Sequence, residues 1–365
     1  MSPWKTFFLY IARQFFAWCS GVFLSMLSIV FILDYVELIR RAGTKPDASL
    51  MVLLEMAALK QPYMAQQIMP FAILFGTMLA FWRLTRSHEL VVARAAGISA
   101  WQFLMPPLMG AFLVGVAVVT VFNPIASVMQ ASYEQLENRV LRSGSAQLTL
   151  SRSGLWLRQS DGQGNQAIVH ANGFLVQQRA LQDVMILFLT DDTKLVRRID
   201  AKEALLKNGA WDVIDGNEWE PGKALRPFEH IDITTNLTTR KIQDSFASPE
   251  TMSFWELPGF ISLLDNSGFS SQRHRLYFNA LLARPFLYAA MVLIAASFSL
   301  RMQRRGGATL MIAAGVASGF ALYFMSDVVF ALGLSATIPI ALAAWTPTGV
   351  TWLLGTSLLL HLEDG

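Results

Sequence analysis

The hydrophobic residues of this chain fall into two blocks of three long spans, and a polar stretch over residues 125–275 separates the blocks. That layout restricts the fold more than any single motif does. An apolar run of about 20 residues crosses the hydrocarbon core of a bilayer as a helix, because a helix satisfies its own backbone groups where no water is present. The runs predict spans over Gln14 to Leu33, Met64 to Trp82, Phe103 to Phe122, Leu281 to Leu300, Ala308 to Leu332 and Ile338 to Leu360. Charged residues make up 15% of the chain, against about a quarter in a soluble domain. The first span follows a short head with Lys5 and Arg13 and carries no A-x-A site, so it reads as a retained signal-anchor. A water-side domain held between two membrane bundles suits a machine that hands something from a bilayer to a soluble partner.

The polar stretch changes its period twice. Ile125 to Leu141 has apolar residues at helical spacing among Glu134, Glu137 and Arg139, which predicts an amphipathic helix leaving the membrane. From Gln147 the pattern turns to short strands: Leu148, Leu150, Leu155 and Leu157 in a stretch broken by Ser153-Gly154, then Ala167 to His170, Val184 to Leu189, Trp211 to Ile214 and Ile231 to Leu237. Turn signals stand between them at Asp161-Gly162, Lys207-Asn208-Gly209 and Asp215-Gly216. Regular short strands of this kind predict an all-β sandwich or jelly roll. An apolar helix around Trp255 to Leu264 closes the region. The only cysteine, Cys19, lies in the first span, so the domain folds without disulfides. The fold class expected is therefore an α-helical membrane protein with six transmembrane helices and an inserted all-β jelly-roll domain. Its parts are 1–124 with a cytoplasmic helix at 87–97, 125–275 with flanking helices, and 276–365.

Orientation follows from counting Lys and Arg in the short loops. One set holds Lys5, Arg13, Arg83, Arg86, Arg94, Arg301, Arg304 and Arg305; the other holds Arg40, Arg41, Lys45 and Lys60. The first set is cytoplasmic on this rule. Both termini then lie inside and the β-domain outside.

The residues that could carry chemistry argue against an enzyme. No G-x-x-x-x-G-K-[ST] run is present to cradle nucleotide phosphates. His88-Glu89 begins like a zinc helix, but the second ligand position of H-E-x-x-H is Val92, and no histidines have metal-ligand spacing. The net charge of +3 is dispersed, unlike the clustered Lys and Arg of a nucleic-acid footprint. Asn236-Leu237-Thr238 is a formal sequon that fits a strand end equally well.

Four local signals stand out. Between spans two and three, Ser87 is placed to cap a short helix. Glu89 follows in its first turn, where the dipole favours an acid, and Arg86 and Arg94 flank it. Gly97 suits the left-handed C-terminal position. This helix is either a connector resting at the membrane surface or a coupling helix that docks on a cytoplasmic ATPase. Arg40 and Arg41, beyond the outer end of span one, are either interfacial anchors or a site for an anionic lipid head, since guanidinium groups grip phosphates bidentately. Asp327 in span five is costly unless paired or facing water; Arg284 is one candidate ion-pair partner, and a lipid path is the alternative. Gly315 and Gly319 form a G-x-x-x-G, which serves packing within the chain or a seam with a second subunit.

These stretches together resemble the permease subunits of the lipopolysaccharide export ABC transporter, the YjgP/YjgQ or LptF/LptG family. The carrying residues are Leu38-Ile39-Arg40-Arg41-Ala42-Gly43, Arg86-Ser87-His88-Glu89-Leu90-Val91-Val92 with Ala96-Gly97, Gly154-Leu155-Trp156, and Phe324-Met325-Ser326-Asp327 with Ile338-Pro339. The Ser-His-Glu-Leu-Val-Val run and the Gly-Leu-Trp favour the LptG branch over LptF. The resemblance covers essentially the whole chain. It implies an inner-membrane, multi-pass permease paired with an LptF-like permease. An LptB-like ATPase dimer below would bind ATP and magnesium, and LptC- and LptA-like proteins would continue a periplasmic β-bridge. Lipopolysaccharide would be lifted from the membrane onto that bridge. Glu89 becomes the expected ATPase contact, with Arg86 and Arg94 beside it, and Arg40 and Arg41 the lipid-headgroup contacts. One position departs from the family pattern. A Lys is often found at the end of span one, and Asp34 stands there instead; either the headgroup sits differently, or the lipid is less anionic, or Asp34 pairs with Arg40 or Arg41. A lipoprotein-releasing permease is the rival from outside the family; it places its large domain after the first of four spans.

Overall fold

The computed structural model describes residues 3–43, 48–141, 147–151, 154–160, 166–175, 180–189, 195–207, 209–235, 247–266, 269–300 and 307–363. The expected basic turn at Arg301, Arg304 and Arg305, the Asp161-Gly162 turn, Lys45 and the Asn236 sequon lie outside them. The chain divides into two compact units. One comprises Met1–Glu134, Glu250–Trp255 and Gln272–Gly365, and the other Gln135–Pro249 and Glu256–Ser271.

The first unit is helical. Its elements are α1 (Pro3–Ala42), α2 (Leu50–Arg86), α3 (Glu89–Ala95), α4 (Ala100–Ala117), the first part of α5 (Asn123–Val140), α7 (Gln272–Ser299), α8 (Gly307–Leu334) and α9 (Ile340–Glu363). A π-helical turn, Val118–Phe122, joins α4 to α5 without a break. Among the described residues, five stretches are long and apolar enough to cross a membrane: Lys5–Ala42, Leu50–Arg86, Ala100–Val140, Gln272–Ser299 and Ala313–Leu334. The sixth predicted span, α9, is diluted by Trp345, Thr346, Pro347, Thr348, Thr351, Trp352 and Thr356. Three of those hydroxyls bond back into their own helix, from Thr346 to the Leu342 carbonyl, Thr351 to Pro347 and Thr356 to Trp352. Such bonds spare each hydroxyl an unmet donor.

The helices outrun their predicted spans. The first predicted span ends at Leu33 and the second begins at Met64, yet α1 continues to Ala42 and α2 begins at Leu50. The charges themselves carry the helix onward. Glu37 accepts both guanidinium bonds of Arg40 at 2.7 Å, one turn apart, and Asp34 takes Lys60 of α2 in a largely buried ion pair. Ser49 caps α2 by accepting from the Val52 N–H at 3.3 Å, and Ser99 and Gln102 close a capping box on α4.

The bundle packs around α7. In its most apolar window 72% of residues are buried, against 6% for α1 and 17% for α8. Small residues let the backbones approach. A side chain at Gly115 of α4 would strike Pro285 of α7, and one at Gly76 of α2 would strike Cys19 of α1. Gly315 and Gly319 of α8 face α2, where Met78 and Phe71 occupy the space that a Cβ would need.

The second unit is a seven-stranded antiparallel sheet in sequence order, β1 (Gln147–Ser151), β2 (Gly154–Ser160), β3 (Gln166–Leu175), β4 (Ala180–Leu189), β5 (Leu195–Lys207), β6 (Ala210–Trp219) and β7 (Arg226–Thr234). One face carries the core. Val169 pairs with Ile186, Val184 with Ala201, Ile186 with Ile199, Leu206 with Trp211 and Trp211 with Ile233. Helix α6 (Leu257–Asn266) brings Phe260 and Leu264 to that core.

A crease crosses the sheet. The ladder lacks pairs at Asn172, Asp183, Lys202 and Asp215, which lie opposite one another on β3 to β6, and the register is the same on both sides. Asp183 and Asp215 have left-handed φ values of 49° and 53°. Along β5 the buried positions switch phase there, from Ile199 and Ala201 to Ala204 and Leu206. Two corrections follow. Asp215-Gly216 was expected as a turn, but it is an interior kink of β6. A side chain at Gly216 would collide with the Asp200 carbonyl and the Phe228 ring, so the strand bends without reversing. And β5 itself was not anticipated, because a strand that changes phase midway shows no sustained alternation.

On the sheet, Asp212 is buried between Lys207, 2.7 Å away, and His230 at 3.1 Å. The Lys207 ammonium, then the His230 ring, hold its carboxyl below the ordinary value of 3.8. A carboxylate depressed on folding stabilises above its unfolded pKa, and the contribution is lost as pH falls through the folded value. Asp212→Asn should therefore lower the thermal midpoint at pH 7. The gap from the wild type should close as the pH drops below 3.8, measured by fluorescence melting of the full chain.

Candidate functional site

The link between α2 and α4 is built as a rigid ledge. Helix α2 runs on to Arg86, so Ser87 ends α2; the expectation that it caps the next helix is corrected. The N-terminal cap of α3 is His88, in the left-handed region at φ 61°, and it makes no side-chain cap bond. The Ser87 hydroxyl donates to the Glu89 carboxylate at 2.8 Å, and Tyr10 of α1 reaches the same carboxylate. At the other end the structure meets the expectation. Gly97 has φ 83°, with the Ile98 N–H on the Ala93 carbonyl at 3.1 Å and the Gly97 N–H on Arg94 at 3.0 Å. That is a Schellman motif.

Leu90 anchors α3 among Ile11, Phe81, Leu84, Phe103 and Leu293. The outward face presents Val92, Arg94, Ala95 and Ala96 to solvent. Arg94 lies over the Phe103 ring at 5.9 Å and Arg86 over Trp82 at 5.4 Å, so both cations sit on aromatic faces beside the ledge. Glu89 is half-buried and the two arginines are exposed. Glu89, Arg86 and Arg94 are thus held on one short segment.

At the far end of α1, Arg40 and Arg41 are both exposed. Arg40 is engaged by Glu37, as above. Asp34 pairs with Lys60 and not with either arginine, which answers the question its position raised. Lys60 also stands over the Tyr133 ring of α5 at 5.6 Å.

Sequence reasoning missed a cavity of about 540 Å³ between α2, α7, α8 and α9. Arg284 and Asp327 both line it. They do not form the ion pair considered for them: the Arg284 guanidinium donates to the Gln66 side-chain oxygen at 2.8 Å and lies 6.0 Å from the Tyr277 ring centroid, while Asp327 interacts with the Tyr323 hydroxyl. Arg284 finds a neutral acceptor on α2 first. Gln66 also accepts from Asn123 at 3.3 Å, and the Asn123 oxygen accepts from the Phe254 N–H at 2.8 Å. The signal was present as Gln66, Gln67 and Asn123 within otherwise apolar helices, where polar side chains call for a partner. Among the described residues, no three His, Cys, Asp or Glu side chains gather as metal ligands would.

Long apolar helices joined to a separate antiparallel sheet define a multi-pass membrane protein with an inserted β-domain. The model of the family described as "Lipopolysaccharide export system permease LptF/LptG" matches residues 9–361, and the chain belongs to that family. It is 22% identical over 371 residues to the lipopolysaccharide export system permease protein LptG of Escherichia coli K12, covering 99% of each chain. It is 23% identical over 367 residues to the LptG protein of Haemophilus influenzae, covering 93% of this chain and 94% of that one.

The ledge makes one direct prediction. Gly97→Val places a β-branched residue at φ 83°, where an L side chain costs about 1–2 kcal/mol, although nothing lies within 4 Å to obstruct it. Cleavage by added protease between residues 87 and 99 should rise, and Gly97→Asn should stay close to the wild type.

Proposed function

We propose that this chain is a permease subunit that moves lipopolysaccharide out of the inner membrane, occupying the LptG seat of a two-permease complex. The observation that carries the reading is the family match across both helical halves and the inserted domain together, joined to relatives that bear the LptG name. Six spans follow if α9 crosses with the others, which its back-bonded threonines permit. The sheet is the jelly-roll domain of this reading; the crease through Asp183 and Asp215 supports a sheet that folds over its own apolar face. The excess of Lys and Arg in one set of loops supports a reading with both termini in the cytoplasm and the sheet in the periplasm, where LptC- and LptA-like proteins would extend it.

Force enters at α3 in this reading. An LptB-like ATPase dimer carrying ATP and magnesium docks against the Glu89 ledge, with Arg86 and Arg94 at its flanks. A rigid ledge suits the task because a helix fixed by Leu90 and a Schellman turn transmits displacement to α2 and α4 without unfolding. Arg40 and Arg41 receive the anionic headgroup at the opposite end of α1. The Asp34–Lys60 pair keeps the unusual acid from repelling that headgroup, because its charge is already neutralised.

The test is reversal of charge on the ledge. Glu89→Lys should reduce copurification of the ATPase by about tenfold or more, the loss expected for a charge-assisted contact, while the protein still inserts. Wild-type copurification and export by the Glu89→Lys protein would remove the coupling role.

A further inference from the structure

The cavity between α2, α7, α8 and α9 is lined by Arg284 and by two carboxylates, Asp327 and Glu250. Glu250 pairs with Arg273 at 3.5 Å, whereas Arg284 and Asp327 do not neutralise each other. Among the described residues Arg284 has only neutral partners, Gln66 and Tyr277. Asp327 has only the Tyr323 hydroxyl. The two charges stand on α7 and α8, more than the 4.0 Å of an ion pair apart. A charge in the apolar depth of a membrane is costly unless something answers it. Phe71, Leu287, Met291, Leu322 and Phe330 supply apolar wall around the two charges.

We propose that the cavity seats one zwitterionic phospholipid with a primary ammonium, a phosphatidylethanolamine. Its phosphate lies on Arg284 and its ammonium on Asp327. Three features select this chemistry. The guanidinium keeps free N–H donors after its bond to Gln66, and a phosphate accepts two of them side by side. The Asp327 carboxylate attracts an ammonium that can donate hydrogen bonds, which a trimethylated headgroup cannot do. A purely anionic headgroup satisfies Arg284 but is repelled by Asp327. The volume of about 540 Å³ falls in the range of roughly 300–1,000 Å³ typical of small-ligand sites. It admits a headgroup with the start of its acyl chains and excludes a lipid with many chains. The site is formed within one chain and does not depend on the export reading; the lipid acts as a resident that fills and neutralises the gap beneath α8.

The experiment uses the full chain in mild detergent. It is exchanged against mixed micelles of equal phosphatidylethanolamine, phosphatidylglycerol and phosphatidylcholine, and the lipids retained are counted by native mass spectrometry. The wild type should hold one phosphatidylethanolamine in preference to the others. Arg284→Gln should hold it about tenfold less well, and Arg284→Lys should recover part of the loss. Asp327→Asn should still hold lipid but lose its preference for phosphatidylethanolamine over phosphatidylglycerol. Asp327 makes no ion pair, so this variant should fold and decides the matter even if Arg284→Gln does not. Equal retention of all three lipids by the wild type would overturn the proposal. So would unchanged selectivity in Asp327→Asn, or copurified lipopolysaccharide resisting exchange at this site.

Discussion

A domain inserted into a helical bundle requires the chain to leave and return without tearing the bundle open, and here two hydrogen bonds meet that requirement. Pro124 has no N–H, so the Thr120 carbonyl loses the helical partner it would have had. The indole N–H of Trp255 takes that carbonyl at 3.1 Å. Beside it, the Asn123 side chain receives the Phe254 N–H. The outgoing helix and the returning segment are stapled at one point, 131 and 135 residues apart in sequence. Asn123 also reaches Gln66, and Gln66 holds Arg284. The same staple therefore ties α2 and α7 to the place where the chain crosses.

The gross architecture was legible because membrane helices announce themselves by length and apolarity. The finer points that failed share a cause: the deciding contact lay far along the chain. Nothing near Asp34 indicates that Lys60 neutralises it, so its helix appeared to end early. Ser87 has the chemistry of a cap, but the persistence of α2 assigned it to the previous helix. Strand β5 carries Arg197, Arg198, Asp200, Lys202 and Glu203, and its phase change at the crease erased the period that marks a strand. Gly97 was legible because its requirement is local. The cavity was not, since four helices contribute to it and only their packing brings Arg284 near Asp327.

The uneven burial of the helices bears on mechanism. Helix α7 is enclosed, whereas α1 and α8 keep apolar faces such as Leu24, Ile29, Ile32, Phe320 and Phe324 exposed. In the proposed complex those faces meet lipid, substrate chains or the second permease, and α7 is the fixed post against which they move. Gly315 and Gly319 hold α8 close to α2 over part of its length.

The central claim is that energy supplied at α3 delivers lipopolysaccharide to the sheet. The most direct measurement places a photocrosslinking side chain at Phe228 on β7 in the assembled complex, reconstituted in vesicles with lipopolysaccharide. The account predicts a lipopolysaccharide adduct that accumulates only when ATP and the partner ATPase are both present. An adduct that forms equally without ATP, or none with ATP in a complex that hydrolyses it, would contradict the account.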